Sequence, residues 1–256
     1  MEITDSLFLL DSAVAGGGRV RIEGDEARHI LQSRRMAQGD TVFLTDGQGF
    51  CARAEIVEIG PKNRYLNVSI AETDNQKKST PVIILASALP KGDRQSVLLN
   101  MSTQMGMDGF IPLDCDFSAV KYQPKMKERW QRLINTACKQ CRQCHFPIIM
   151  QPQSLEDLFN DQQKGDVFVV GDSNGKSLNQ LIPAFGPDVS RIIMVVGPEG
   201  GFSDRENQII ENQNSLKLPV LKLRLSNRIL RTETAAISLA GAVNQGIWIN
   251  QNNEAQ

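Results

Sequence analysis

The sequence predicts an α/β protein in two parts, a small β-barrel-like module followed by a larger domain with a parallel sheet covered by helices. Three observations carry this. Short runs rich in β-branched and apolar residues fill the first 70 or so positions. A polar stretch without apolar side chains, Glu72 to Pro81, follows and ends in proline. Beyond it, apolar strand segments alternate with helical ones, the pattern of a layered α/β sheet.

In the first part, strands are expected at Ser6–Leu10, Gly18–Glu23, Thr41–Thr45, Phe50–Ile59 and Tyr65–Glu72. Asp46-Gly47-Gln48-Gly49 is a hairpin turn, because Asp and Gly tolerate the backbone angles of a tight reversal. One helix, Asp25–Met36, interrupts the strands, with Asp25 as its N-cap. Gly16-Gly17-Gly18 precedes a strand and reads as a plain turn. The module is assigned to residues 1–72 and the linker to 73–81.

The second part, residues 82–250, opens with the buried-type strand Val82–Ala88 and a helix from about Asp93 to Met105. Next come a strand at Phe110–Leu113, a long helix at Pro124–Gln143 and a shorter helix from Ser154. Val167–Val170, Ile192–Val196 and Val220–Leu223 are further strands, and Asp204–Asn214 and Thr232–Gln245 further helices. Strands this uniformly apolar belong in a parallel sheet buried on both faces. The Asn/Gln-rich end, residues 251–256, is expected to fray.

Composition bounds the function. Hydrophobic residues make up 41% and charged residues 22%, the values of an ordinary globular protein. No apolar run approaches the roughly 20 residues needed to span a bilayer. The N-terminus lacks the basic and apolar regions of a secretory signal, so a cytoplasmic protein is expected. A net charge of −1 excludes a generic polyanion binder, yet the charge is unevenly placed. Residues 75–150 carry 11 Lys/Arg against 5 Asp/Glu, a basic segment suited either to facing RNA or to lying solvated.

Two motifs carry chemistry. Val196-Gly197-Pro198-Glu199-Gly200-Gly201-Phe202-Ser203 runs from a buried strand through a glycine loop into a helix opened by a capping box, Ser203 with Glu206. In a parallel sheet that loop lies outside the carboxyl ends of the strands, where such folds bind ligands. A tight turn that merely uses Gly and Pro is the alternative. Neither dinucleotide-fingerprint nor P-loop spacing occurs. The second motif, Leu225-Ser226-Asn227-Arg228-Ile229-Leu230-Arg231-Thr232-Glu233-Thr234, ends a strand and opens a helix. Thr232 is its expected N-cap, and Glu233 sits where the helix dipole favours an acid. Ile229 and Leu230 between two arginines point to a loop that packs partly inward.

Together these motifs, about 25 residues apart, resemble the signature of the 16S ribosomal RNA uracil-N3 methyltransferase family of the SPOUT superfamily. Gly24-Asp25-Glu26-Ala27-Arg28-His29, Gly39-Asp40, Ala88-Leu89-Pro90-Lys91-Gly92-Asp93-Arg94 and Arg129-Trp130-Gln131-Arg132 extend the likeness over nearly the whole chain in the right order. The resemblance implies a PUA-like β-barrel, a SPOUT domain with a C-terminal trefoil knot, and a homodimer. It implies S-adenosylmethionine as methyl donor, held by Gly171 and Asp172 with Ser173, by Gly197, Pro198, Glu199, Gly200 and Gly201, and by Leu225, Ser226, Asn227, Ile229 and Leu230. The substrate would be 16S rRNA or the small ribosomal subunit, met by Arg28, His29, Arg35, Lys91, Arg94 and Lys121. A lone His such as His29 is otherwise usually structural.

N3 of uracil is a weakly acidic imide that must lose its proton to attack a sulfonium methyl. A base, or a cation holding charge on O2 and O4, lowers that barrier. Arg231 suits the cation role, with Glu199 and Glu233 as base or as groups orienting Arg231. The sulfonium is already activated, so no metal is implied.

The chain departs from the family pattern in places. It has Met101 and Gln104 where relatives carry Lys and Glu, and Asp116-Phe117 where they carry Glu-Arg. Lys139, Arg142 and Gln143 stand for Glu, Gly and Arg, and Ser226-Asn227 for Gly-Pro. These positions are expected to form one polar network. A same-fold enzyme acting on another RNA nucleotide and a non-catalytic RNA-binding relative are the alternatives. Cys138-x-x-Cys141-x-x-Cys144-His145 matches haem and iron–sulfur spacings, but three thiols on one helix face more often pack as small apolar groups. Five cysteines, an odd number, give no disulfide framework.

Overall fold

The computed structural model describes residues 1–10, 18–215 and 220–254 of the chain. It divides into two compact units, Met1–Lys78 with Asn135–Phe146, and Ser79–Ile134 with Pro147–Gln256. The glycine turn at 16–18 lies mostly outside the described residues. No helix among those described is long and apolar enough to cross a membrane.

The first unit is a five-stranded sheet, β1 (Leu7–Leu9), β2 (Arg19–Glu23), β3 (Thr41–Thr45), β4 (Phe50–Ile59) and β5 (Tyr65–Asn75), in the order β1-β3-β4-β5-β2. β1 runs parallel to β3 and the other pairs are antiparallel. Register shifts at Arg53/Ala54 and Ile56/Glu58 bend the long β4–β5 ribbon, as bulges do. The curled sheet closes over Phe8, Ile22, Ile30, Leu44, Ile56 and Leu66, but no ladder joins β1 to β2 among the described residues. β5 continues three residues into the stretch expected to be linker.

The helix expected at Asp25–Met36 is instead one α-turn, α1 (Gly24–Arg28), followed by a π-turn at His29–Ser33. Asp25 lies inside the first turn, and the N-cap position falls to Glu23 without a side-chain bond. Widening to a π-turn places both Ile30 and Leu31 in the core.

Residues 135–146 supply a correction. Cys144 forms a disulfide with Cys51, 93 positions away, with the Cα atoms 6.4 Å apart. Gly49 N–H donates to the Cys144 carbonyl at 3.0 Å and Phe146 N–H to that of Gly47 at 2.8 Å, so the segment pairs with the β3–β4 turn. His145 Nε2 meets the Gln76 carbonyl at 2.7 Å. Cys144 and His145 are therefore committed to structure, Cys138 is buried and Cys141 faces outward, so the four residues do not converge as one ligand set.

The second unit holds β6 (Val82–Ser87), α2 (Arg94–Gln104), β7 (Gly109–Pro112), the first half of α3 (Met126–Cys141), β8 (Ile148–Ile149) and α4 (Leu155–Asn160). There follow β9 (Asp166–Lys176), α5 (Leu178–Leu181), β10 (Arg191–Val196), α6 (Asp204–Ser215), β11 (Val220–Leu223) and α7 (Thr232–Glu254). Its sheet is wholly parallel, in the order β11-β9-β10-β6-β7-β8. Ile192 to Val196 are all buried, as a strand covered on both faces requires. The C-terminus is helical to Glu254, where fraying was expected from 251.

β9 runs past Val170, where the strand was expected to stop. Its partner register jumps from Val170↔Lys222 to Lys176↔Leu223, so residues 171–175 leave the ladder and return. A Cβ on Gly175 would lie 2.6 Å from the carbonyl carbon and oxygen of Lys222, which only glycine avoids. Trp130 of α3 is fully buried, edge-on to Phe110 at 5.7 Å and beside Tyr122. Trp130→Ala is expected to cost about 3–5 kcal/mol, measured as a lowered urea midpoint with an unchanged slope; a midpoint near wild type would show that the ring is not part of this core.

Candidate functional site

Strands β11, β9 and β10 are neighbours and parallel, so the loops after β11 and β10 and the excursion of β9 at residues 171–175 emerge side by side. Gly171 to Ser173, Val196 to Phe202 except Gly200, and Leu225 to Leu230 except Asn227 line one cleft of about 220 Å³, completed by Thr232 and Ala235 of α7. This is the crevice outside the strand ends where open α/β sheets bind ligands. The three loops expected from sequence are thus brought together.

The glycine loop is held from both sides. A Cβ on Gly197 would lie 3.0 Å from the Phe202 ring, so the loop folds back on its own aromatic. Ser203 caps α6 as expected: its Oγ accepts from Glu206 N–H at 3.2 Å, and Glu206 Oε2 accepts from Ser203 N–H at 2.8 Å. Glu206 is buried, and its Oε1 accepts from Asp116 N–H at 3.0 Å, tying the loop after β7 to the same helix end. Asp116 in turn accepts from Ser203 Oγ at 2.5 Å and pairs with Arg205 at 3.0 Å. At the far wall, Thr232 Oγ1 donates to the Gly197 carbonyl at 3.3 Å. Thr232 therefore joins α7 to the glycine loop rather than serving as the expected cap.

Charge gathers at one end. Arg94 Nη1 lies 2.9 Å from Glu199 Oε1 and 3.9 Å from Glu233 Oε2. Glu233 is buried, and its Oε2 makes no hydrogen bond among the described residues. Asp172 faces the cleft, accepts from Asn174 N–H at 2.8 Å, and lies 3.5 Å from Lys222. The cleft thus has apolar walls, two carboxylates and the hydroxyls of Ser173, Ser226 and Thr232.

Several expected residues sit differently. Arg231, just before α7, is exposed, does not line the cleft, and has no side-chain partner among the described residues. Gly200 and Asn227 also lie outside the lining. Asn227 bonds Arg224 and lines a polar groove with Lys176, Ser177 and Gln180. Ile229 is 97% exposed, so that loop does not pack inward there. Arg94 is engaged by carboxylates, and Lys121 pairs with Asp114 at 3.4 Å. Lys91 is exposed. In the first unit Arg28 pairs with Asp25, His29 stands edge-on to Phe8 at 5.5 Å, and Arg35 is exposed with φ 57°.

The departures from the family pattern serve separate ends rather than one network. Lys139 pairs with Glu26, and Arg142 donates to the Ile3 carbonyl at 2.9 Å. Met101 is exposed on α2, where Gln104 bonds Asn100 at 2.6 Å. Phe202 and Ala235 also line the cleft without having been singled out by the sequence; Phe202 was signalled only by its place directly after the glycine run.

The chain matches the model of an RNA methyltransferase domain over residues 76–244 and that of an RNA methyltransferase PUA domain over 22–68. It is 29% identical to the ribosomal RNA small subunit methyltransferase E of Bacillus subtilis, over 87% of this chain and 88% of that protein. The protein of the same name from Mycobacterium tuberculosis is 24% identical, over 93% and 90%. A Legionella pneumophila protein solved with bound S-adenosylmethionine superposes with a TM-score of 0.78 at 25% identity, over 95% of this chain and 98% of that one. A Neisseria gonorrhoeae structure shares the fold at a TM-score of 0.80 and 23% identity, over 94% and 97%.

The Asp116 clamp has a pH signature. Hydrogen bonds from Arg205 and then Ser203 hold its carboxyl below the ordinary value. The stabilisation this brings is complete above the ordinary carboxylate range and is lost as pH falls through the lowered folded value. A carboxyl NMR titration should give Asp116 a lower midpoint than in Arg205→Ala; equal midpoints would mean that the clamp is absent in solution.

Proposed function

Because this chain belongs to the RNA methyltransferase family, we propose that it methylates N3 of a uridine in the 16S RNA of the small ribosomal subunit, with S-adenosylmethionine as the methyl donor. The observation that carries this reading is the cleft shared by the three loops. The names of the Bacillus and Mycobacterium relatives support the substrate, and the donor bound in the Legionella structure supports the cofactor.

The cleft fits such a donor chemically. Val196, Phe202, Leu225 and Leu230 offer apolar walls to a purine, and Ser173, Ser226 and Thr232 offer hydroxyls to a ribose. The carboxylates of Asp172 and Glu199 suit the positive sulfonium and ammonium groups, and Arg228 suits the donor's carboxylate. Gly171, Gly197 and Gly201 let the backbone approach closely. When bound, the donor supplies an electrophilic methyl carbon whose bond to sulfur breaks as N3 bonds to it.

The chain's own residues then have to manage one proton and one developing charge. Glu199 lines the cleft and is assigned the imide proton. Glu233, buried behind it, shares Arg94 and orients that pair. Arg231, exposed and unpaired among the described residues, is assigned the negative charge growing on O2 and O4. Lys91 and Arg35, without an ion-pair partner among the described residues, suit phosphates, whereas Arg28 and Lys121 would first leave Asp25 and Asp114.

Two further features belong to the same reading. β11 lies at the sheet edge, yet the chain returns through residues 224–231 to α7, which packs against β10 and β6; this supports a trefoil knot around the 197–202 loop. Val97, Met101 and Met105 form an exposed stripe at four-residue spacing along α2 and its end, and Trp248 is exposed on α7, the helix packed against α2. This pair of helices supports a homodimer.

Small ribosomal subunits from cells deleted for this gene, incubated with the protein and labelled donor, should yield labelled 3-methyluridine by mass spectrometry. Arg231→Ala should lower turnover about 100-fold or more while calorimetric donor affinity stays nearly intact; unchanged turnover would remove Arg231 from the chemistry. Met101, 46% exposed, carries the dimer reading. Met101→Lys should shift the protein to a monomer in light scattering, and an unaltered mass would place the interface elsewhere.

A further inference from the structure

We propose that Phe117 is a stacking platform for the base that enters the cleft, a substrate-binding residue of this enzyme; the inference rests on the RNA-methylation reading. Phe117 is 56% exposed, in the turn after β7. The turn is not loose. Asp114 N–H donates to the Gln153 carbonyl at 2.8 Å, Cys115 N–H to Ser118 Oγ at 2.9 Å, and Asp116 N–H to the buried Glu206 carboxylate at 3.0 Å. With Asp116 also clamped by Ser203 and Arg205, the backbone on both sides of Phe117 is fixed. An apolar ring is thus held outward on a rigid support.

Its position gives the exposure a use. A Cβ on Gly200 would lie 3.6 Å from Phe117 Cβ and 3.7 Å from its Cδ2, so the side chain rests on the glycine loop. The residues on either side of Gly200, Glu199 and Gly201, both line the cleft. The ring therefore stands at the cleft's rim, beside the carboxylate assigned the imide proton. Uracil has a π-face but offers a protein little apolar area, and aromatic side chains are what hold unstacked bases in single-stranded RNA.

The stretch of chain just beyond Phe117 suits the rest of a nucleotide strand. Residues 118–132 hold five Lys/Arg and one acid, Glu128, within the most basic part of the sequence. An aromatic platform flanked by cations takes the base on one and the phosphates on the other.

The test compares full-length wild type with Phe117→Ala, Phe117→Leu and Phe117→Trp. Leu keeps apolar contact with Gly200 but has no π-face; Trp keeps the π-face. Ala and Leu should each lower kcat/KM on small ribosomal subunits by roughly tenfold or more, mainly through KM, with calorimetric donor affinity unchanged. Trp should stay within about threefold of wild type, and its added fluorescence should be quenched by oligouridylate without donor, relative to wild type. Wild-type kinetics in Phe117→Leu, or an unquenched Phe117→Trp, would overturn the platform even if wild type makes 3-methyluridine. Quenching in a protein that makes no 3-methyluridine would sustain the platform and sink the N3 reading instead.

Discussion

The candidate site depends on one buried carboxylate. Glu206 accepts the N–H of Ser203 and that of Asp116, two groups 87 positions apart, with one oxygen for each. Buried backbone donors must be satisfied, and a charged acceptor does this more strongly than a neutral one. The helix end, the glycine loop before it and the turn after β7 are therefore set as one piece. Without Glu206, two partly buried N–H groups lose their partner, and the cleft loses the support of both its rim and its floor.

The opposite wall is anchored in a different way. α7 begins at Thr232, whose hydroxyl reaches the Gly197 carbonyl, while Glu233 on the same turn faces Arg94 of α2. Arg94 also holds Glu199, so one guanidinium joins α2, the glycine loop and α7. An arginine suits this place because its fork presents several donors and stays charged. Packing places the three strand ends together, and these few polar contacts decide where the side chains at their tips point.

Much of this was legible locally. The glycine loop, the Ser203–Glu206 cap and the run from Arg228 to Thr232 are defined by neighbours in sequence, and the loops after β10 and β11 were placed at the strand ends correctly. What was not legible depends on distant partners or on a single crowded contact. Nothing near Gly175 signals that the Lys222 backbone passes against it, so the β9 excursion that carries Asp172 into the cleft was read as a strand end. Cys51 and Cys144 pair across 93 positions, beyond any spacing rule. Apolar Ile229 suggested burial but is solvent-exposed, because a loop at a cleft mouth need not obey the helix or strand period. Arg94 read as a cation for RNA, and only the fold revealed the two acids facing it.

The first unit is not a continuous stretch of chain: it needs residues 135–146 as well as 1–78. During synthesis, then, the N-terminal sheet emerges first but stays incomplete until more than half of the polypeptide has been made. Strands β6 and β7 and helix α2 of the other unit appear in the interval, so neither unit can finish before the other has begun. A cut at the linker would therefore not yield two self-sufficient pieces, and a chain that fuses a binding module to an enzyme in sequence is, in its order of assembly, a single object.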